Sequence, residues 1–246
     1  MLKIENFEVV GWEHAIHGMR NPMNSWDKSD SGICKGGNSG IGCENCAAYD
    51  CEHTYDRSFQ LGNNDHELMM KLRNAGTDHR KFMRMITVYL DITAPLYWWK
   101  EFDTYKVGTV ANSCSTMHKI QDKEFTLEDF SCEHLIYQNI KLLGNIIDML
   151  NIHRSVYLST NTELTSNCTR LSDKACAKTK KDIWWQMIQL LPSSYNQKRT
   201  VMLNYEVLAN IYKSRRNHKL DEWHTLCNWI EELPNSEIIT GYSEED

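Results

Sequence analysis

The chain has 246 residues, of which 41% are hydrophobic, and a formal net charge of −6. That is enough apolar sequence for one substantial core, and the acidic balance argues against a broad nucleic-acid interface. It contains no run of eighteen apolar residues and no basic-then-apolar leader, so we expect a soluble, cytoplasmic protein without a membrane span. Its nine cysteines are then expected to be mostly reduced thiols. Basic residues cluster locally between Lys198 and Lys219, where a small anion could bind.

The N-terminal quarter predicts one strand and two short helices around an irregular stretch. Leu2 to Val10 alternates like a strand, and Trp12 to Met19 carries an apolar stripe on one helical face. Residues 27–60 are rich in Gly, Ser, Asp, Asn and Cys, which indicates an insertion. After it, Asn64 or Asp65 is expected to cap a short helix.

The middle of the chain predicts a central strand followed by a helix. From Ile86 to Ile92 every second residue is aliphatic, which is typical of a strand with one buried face. Thr93 is expected to cap the next helix, and Pro95 is tolerated in a first turn. Ala94 to Lys106 is therefore predicted to be helical.

The second half of the chain is predicted to be mainly helical. A capping box at Thr126 and Asp129 precedes a long helix with apolar residues at four-three spacing up to Leu150. A polar insertion at about 159–181 follows. Three more helices are predicted: one over 183–191, one from about Thr200 to Arg216, and one over 223–230. With no internal repeat, we predict one domain over 1–246 that carries two insertions.

The helix predicted from Thr200 provides the first candidate site. Asn204, Leu208, Ile211 and Arg215 would share a narrow arc, because eleven residues at about 100° each return nearly to the starting direction. One interpretation is a helix edge whose polar residues bond to backbone or solvent. The other is a platform for a planar polar ligand, with Arg215 offering a fork of donors.

A second candidate site joins the end of one helix to the loop after it. Its polar residues are Lys100, Glu101, Tyr105, Lys106, Thr109, Asn112, Cys114, Ser115 and His118. A solvated helix end explains each of them individually, so composition leaves a binding role open. There is no Ser-His-Asp order, Walker loop or GxGxxG fingerprint, which leaves nucleotide binding through those folds unsupported.

The third candidate is a metal site in the first insertion. Cys34, Cys43, Cys46 and Cys51 are separated by eight, two and four residues, with His53 nearby. A Cys-x-x-Cys pair suits tetrahedral zinc, although free thiols in a loop explain the same residues. The hypothesis is one zinc ion bound by the four cysteines.

Two ungapped segments resemble the flavin-dependent thymidylate synthases. Asp91 to Cys114 resembles the segment with that family's Arg-His-Arg, seven residues, Ser signature, and Leu191 to Arg215 resembles its Leu-Pro, Asn-x-Arg-x-Leu, Leu-Arg segment. Weaker likenesses lie at Ala15 to Ser25 and Gly76 to Arg84. Thr104, Tyr105 and Lys106 occupy the Arg-His-Arg positions. Cys114, or Ser115 after a one-residue slip, occupies the serine position.

The resemblance implies an α/β (α+β) fold with a central twisted sheet and flanking helices. It also implies a homotetramer in which FAD, deoxyuridylate and folate meet between subunits, with NADPH and methylenetetrahydrofolate as co-substrates. Arg215 matches the arginine that holds and polarises the pyrimidine ring, and Cys114 or Ser115 would be catalytic. The residues implied to bind the flavin are Thr104, Tyr105, Lys106, Asn112, Asn204 and Asn210.

The resemblance implies that the residues contacting the pyrimidine ring are retained, whereas the residues contacting the phosphate are changed. Glu101 stands where the family has a Gln near the substrate phosphate, Thr116 stands where it has an Arg, and Ile188 replaces another phosphate-binding Arg. A carboxylate at Glu101 would repel a phosphate dianion unless nearby cations compensate. The candidate compensating residues are Lys100, Lys106, His118 and Arg199.

These features favour a flavin-dependent methyltransferase that adds a one-carbon unit to C5 of dUMP or a related pyrimidine. The alternative is a non-catalytic protein of the same fold that binds a nucleotide or a partner. A third hypothesis makes the cysteine insertion a zinc-stabilised partner surface.

Overall fold

The computed structural model describes residues 1–33, 59–160 and 179–241. The chain divides into two compact units. The first comprises Met1–Glu5, Asp91–Thr104 and Ala111–Thr200, and the second comprises Asn6–Leu90, Tyr105–Val110 and Val201–Asp246. A single domain with two insertions stays a prediction.

The described residues form a mixed structure of strands and helices. The strands are β1 (Lys3–Val10), β2 (Gly32–Ile33), β3 (Phe59–Gln60), β4 (Thr87–Pro95), β5 (Val110–Ser113) and β6 (Asn196–Asn204). The helices are α1 (Trp12–Arg20), α2 (Asn63–Asn74), α3 (Leu96–Phe102), α4 (Thr116–Lys119), α5 (Tyr137–Ser159), α6 (Lys180–Leu190), α7 (Tyr205–Arg215), α8 (Asp221–Glu231) and α9 (Glu237–Thr240). The predicted α/β class is confirmed.

Two sheets organise the strands that the structure describes. One has four strands in the order β1-β4-β6-β5. The other is a short antiparallel pair, with Gly32 of β2 opposite Gln60 of β3. Over the described ranges, no helix is long and apolar enough to cross a membrane.

Several elements follow the predicted periodicity closely. In β4, Val88, Leu90 and Ile92 are at most 1% exposed, whereas Tyr89 between them is 45% exposed. Trp12, Ala15, Ile16 and Met19 are the buried stripe of α1, and Trp223, Leu226, Cys227 and Ile230 are that of α8. Burial of one face fixes these elements, because shifting the pattern would expose the apolar side chains.

The helix predicted from Ala94 to Lys106 is wrong at both ends. β4 continues to Pro95, and α3 spans only Leu96–Phe102. The residue before a proline disfavours helical backbone, so Ala94 stays extended and Thr93 cannot cap the helix. At the other end the Thr104 backbone N–H and hydroxyl both donate to the Glu101 carbonyl, which closes the last turn.

The helix predicted from Thr200 begins five residues later than expected. Asn196–Asn204 is strand β6. Gln197, Val201 and Leu203 are buried in this strand, and Thr200 is exposed. Asn204 is the N-cap of α7, and its side-chain oxygen accepts from the Val207 backbone N–H at 3.0 Å. Alternation around a β-branched Val201 was the signal for the strand.

One capping prediction is wrong, and a second is confirmed but closes a different turn. Neither Asn64 nor Asp65 caps α2; the carboxylate of Asp30 accepts from the backbone N–H groups of both residues, at 2.9 and 3.1 Å. The box at Thr126 and Asp129 forms, but it closes a single 3₁₀ turn rather than the long helix. That helix, α5, begins at Tyr137.

The second unit contains a buried carboxylate that anchors residues 29–31. Asp65 is fully buried and accepts from Arg20 Nε at 2.6 Å, from the hydroxyls of Ser29 and Ser31, and from the backbone N–H groups of Asp30 and Ser31. Burial by itself would raise the pKa of Asp65, but the hydrogen bonds from Ser31, Ser29 and Arg20 hold it below its ordinary value.

Candidate functional site

Arg215 lies at the C-terminal end of α7 and is held by two aromatic side chains of the second unit. Its Nε donates to the Tyr105 hydroxyl at 3.0 Å. Its guanidinium carbon lies 4.7 Å from the centroid of the Trp223 ring and 5.8 Å from that of Tyr105. The Tyr105 and Trp223 rings contact each other edge to face, with centroids 6.1 Å apart. Arg215 is partly exposed, so its charge can reach a ligand from a fixed position.

The turn between α7 and α8 brings Trp223 to this position. Trp223 is fully buried in the first turn of α8. The His218 ring packs edge-on against the Trp223 ring, and its Nδ1 accepts from the Leu220 backbone N–H at 3.2 Å. In the sequence, Trp223 is only the first residue of the helix predicted over 223–230, because an aromatic residue at helical spacing gives no sign that a cation lies over its ring.

The loop after α3 packs against the beginning of α7. Gly108 has φ of +77°, and a Cβ there would lie 2.9 Å from Asn204 Nδ2 and 3.2 Å from Val207 Cγ2. Only glycine fits this close approach. Asn204 is therefore buried as a helix cap, and Leu208 and Ile211 are fully buried. Because their side chains are fully buried, Leu208 and Ile211 cannot form the predicted platform for a planar ligand on this face of α7.

Polar groups remain along the loop from Tyr105 to Val110. Lys106 is exposed, and the Thr109 hydroxyl is buried with no hydrogen-bond partner within the described ranges. An orphaned buried hydroxyl is uncommon in a native structure, and a bound group would satisfy it.

Asn210, another predicted flavin residue, lies beside an ion-pair cluster. It is exposed, and its side-chain oxygen accepts from Arg80 at 3.3 Å. Glu206, one turn earlier on α7, accepts from Arg84 and from Arg80. Burial would raise the pKa of Glu206, but the hydrogen bond and charge of Arg84, with those of Arg80, hold it below its ordinary value. One carboxylate therefore pairs with two arginines near Asn210.

Cys114 and Ser115, the predicted catalytic pair, follow β5 in the first unit. The Cys114 thiol is exposed, while its backbone N–H donates to the Lys198 carbonyl and its carbonyl accepts from Gln197 Nε2, both at 2.9 Å. The Ser115 hydroxyl accepts from the His118 backbone N–H at 3.0 Å and so caps α4. Both residues are fixed through their backbone or as a cap.

The other predicted residues of this unit lie at or near the surface. Lys100, Thr104, Asn112 and His118 are exposed, and Glu101 and Thr116 are partly exposed. They remain accessible to a ligand.

Arg199 differs from the other cations that could compensate Glu101. Its Nη1 donates to Asp103 at 2.8 Å, its Nε donates to Gln197 at 3.1 Å, and its guanidinium carbon lies 4.2 Å from the Trp99 ring centroid. This cation is already held by a carboxylate, an amide and a ring.

The four cysteines predicted to bind zinc, Cys34, Cys43, Cys46 and Cys51, lie outside the described residues. Within the described ranges, no group of three or more His, Cys, Asp or Glu side chains could hold a metal ion. The zinc site stays a prediction.

An open cleft of about 670 Å³ lies along α7 and α8, and none of its lining residues was predicted as a site residue. Arg216, His218, His224 and Cys227 are among them. Burial, with the charge of Glu231, raises the pKa of Cys227 to about 11. Its thiol is therefore protonated near neutral pH. The only sequence signal for this cleft was the local cluster of basic residues.

No family model matches the sequence, and no curated protein matches it significantly. Solved structures do match. One is thymidylate synthase X (ThyX) from Helicobacter pylori, solved with FAD and dUMP. It matches this chain with a TM-score of 0.58 at 14% identity, and the match covers 98% of each chain. The UMP/dUMP methylase PolB from Streptomyces cacaoi, bound with 5-Br dUMP, has a TM-score of 0.53 at 10% identity, with 98% of this chain and 95% of PolB covered.

The chain therefore has a ThyX-like fold. The match spans nearly all of both chains, so the similarity extends well beyond one motif. The predicted fold class is confirmed, whereas the individual site residues of this ThyX-like chain stay predictions.

Proposed function

We propose that this protein is a flavin-dependent enzyme that transfers a one-carbon unit to C5 of a pyrimidine deoxynucleotide, either dUMP or a close relative. Two proteins with its fold were solved with pyrimidine nucleotides, one with dUMP and FAD and the other with 5-Br dUMP. The observation that carries the proposal is the partly exposed Arg215 guanidinium, held by Tyr105 and Trp223 at the end of α7.

Arg215 would read the pyrimidine ring. A planar guanidinium donates in a fixed geometry and is always charged, so it can bind a ring carbonyl and stabilise negative charge that develops on that oxygen. Because Tyr105 and Trp223 already hold the side chain, little ordering would be required when a ligand binds.

The loop from Tyr105 to Val110 would hold part of the FAD. Lys106 supplies an exposed cation for a phosphate, and the Thr109 hydroxyl lacks a partner among the described residues. These features fit an anionic dinucleotide. FAD would supply the redox chemistry, which amino-acid side chains do not provide. Asn204, Asn210, Thr104 and Asn112 remain proposed flavin contacts.

The remaining assignments rest on the sequence resemblance. Cys114 or Ser115 would contact the reacting nucleotide, and Lys100, Glu101, Thr116 and His118 would surround its phosphate. NADPH and methylenetetrahydrofolate would be the co-substrates, and the protein would assemble as a homotetramer.

The test is a turnover assay with purified protein, FAD, NADPH, methylenetetrahydrofolate and dUMP. We expect mass spectrometry to detect dUMP converted to a product one methyl group heavier, and we expect this product to be lost in Arg215→Lys. If the protein binds dUMP but forms no product from either dUMP or dCMP, the non-catalytic alternative is favoured. Absence of both binding and product would reject the proposal.

A further inference from the structure

Two side chains that lie far from Arg215 in sequence hold its guanidinium. We call this pair, Tyr105 and Trp223, the seat of Arg215. Tyr105 comes from the loop after α3 and supplies a hydroxyl to Nε at 3.0 Å. Trp223 comes from α8 and supplies a ring face 4.7 Å from the guanidinium carbon. The two rings also contact each other, so they form one aromatic corner.

The seat constrains orientation as well as position. Arginine has several rotatable bonds, and an unsupported guanidinium at a helix end would sample many directions. The Trp223 ring beneath the guanidinium carbon limits where the group can lie, and the Nε hydrogen bond limits how it can turn. A donor that must meet a flat ring benefits from both restrictions.

Each member of the seat is fixed by its own surroundings. Trp223 is fully buried, and His218 packs against its ring from the turn between α7 and α8. Tyr105 lies three residues before Gly108, whose backbone packs against Asn204 and Val207. Trp223 is therefore held independently of Arg215, and the loop that carries Tyr105 is anchored at Gly108.

We propose that Tyr105 and Trp223 are positioning residues that orient the Arg215 guanidinium toward a pyrimidine ring. This inference rests on the proposed function and extends it, because it gives the Tyr105 hydroxyl a role on the pyrimidine side of the site. Neither residue needs to touch the nucleotide.

The decisive variant is Tyr105→Phe, which removes one oxygen and keeps the ring. The first readout needs no ligand: the side-chain Nε–H resonance of Arg215, identified by its loss in Arg215→Lys. We expect its exchange with water to become about tenfold faster in Tyr105→Phe, because the acceptor is gone. Tyr212→Phe is the matched control, since its hydroxyl donates to Glu231 and not to Arg215. Unchanged exchange in Tyr105→Phe would overturn the inference.

The second readout is the dissociation constant for dUMP. We expect Tyr105→Phe to raise it about tenfold with an unchanged melting temperature, because the guanidinium must then be ordered on binding. In an Arg215→Lys background the same substitution should have no further effect. An equal effect in both backgrounds would overturn the inference, because Tyr105 would then act without Arg215.

The two readouts separate the inference from the proposed function. If the resonance responds but wild-type protein binds no pyrimidine nucleotide, the seat stands and the proposed function fails. If wild type binds dUMP and the resonance does not respond, the function stands and the seat fails. Trp223→Phe, which keeps an aromatic face, should weaken dUMP binding less than Trp223→Leu at matched thermal stability.

Discussion

At the scale of single residues, Arg215 combines a partly exposed charge with a fixed side chain. Polar residues at the other end of α7 are held by the protein: Asn204 caps the helix, and Glu206 binds Arg80 and Arg84. On α7, the proposed ligand contact and the structural contacts are therefore made by different side chains.

Arg215→Lys keeps the charge and removes the planar fork, and Lys cannot reproduce both the Nε bond to Tyr105 and the guanidinium contact with the Trp223 ring. We expect dUMP binding to weaken by about 1–3 kcal/mol with little change in melting temperature. Calorimetry and thermal unfolding of the same samples measure both effects. Arg216→Lys, on the adjacent exposed residue, is the matched control. A large loss of stability with unchanged affinity would make Arg215 a structural arginine.

Asp65 should make folding sensitive to acid. Since its pKa is lowered in the folded state, its contribution to stability is present above the ordinary carboxyl pKa of about 4 and is lost as pH falls through the folded value. Asp65→Asn leaves Arg20 buried without its carboxylate and should cost about 3–5 kcal/mol at neutral pH. Urea unfolding from neutral to acidic pH measures this. If the variant kept the wild-type acid dependence, the assignment to Asp65 would be wrong.

At the scale of elements, the sequence predicted those in which burial sets a clear period. α1, β4 and α8 follow such patterns, as does the middle of α5. The errors lie at boundaries set by tertiary contacts, such as the Asp30 carboxylate that caps α2. β5 was missed because it has only four residues and all of them are exposed, so the strand has no alternating apolar pattern to reveal it.

The same reasoning explains how much of the candidate site was predictable. Arg215 and Tyr105 were named from the sequence, but their mutual hydrogen bond joins residues 110 positions apart. Trp223 has an ordinary core pattern, so nothing in its spacing marks a cation partner. Pairwise geometry of this kind depends on the packed loop and turn.

The buried face of β4 gives a direct test of that strand. Leu90→Glu would bury an unpaired carboxylate and should cost several kcal/mol of folding free energy. Tyr89→Glu, on the exposed face of the same strand, should have a much smaller effect. Chemical denaturation of both variants makes the comparison. Equal stability of the two variants would contradict the assigned faces.

Asn204 offers a way to separate a helix cap from a flavin contact. Asn204→Ala should cost about 1 kcal/mol of stability, because the Val207 N–H loses its acceptor. Asn204→Asp keeps an acceptor but removes the amide donors, so it should preserve stability and weaken FAD binding if the amide contacts the flavin. Denaturation and FAD titration of both variants are required. FAD affinity unchanged in Asn204→Asp would exclude an amide contact.

At the scale of the whole molecule, the ThyX-like fold persists at 14% and 10% identity to the matched structures. The fold depends mainly on the pattern of buried positions, whereas ligand choice depends on individual side chains that are free to change. The homotetramer and the zinc site of the cysteine insertion remain predictions. Light scattering and metal analysis of unchelated protein would test them.

The most direct test of the central claim is a visible absorbance titration of the purified, folded protein with FAD. We predict the two visible bands of oxidised flavin in the purified protein, or a saturable shift of those bands as FAD is added, because a bound flavin leaves water for a protein site. A protein that unfolds cooperatively but remains colourless, and that leaves the spectrum of added FAD unchanged, would contradict the proposed flavin-dependent function.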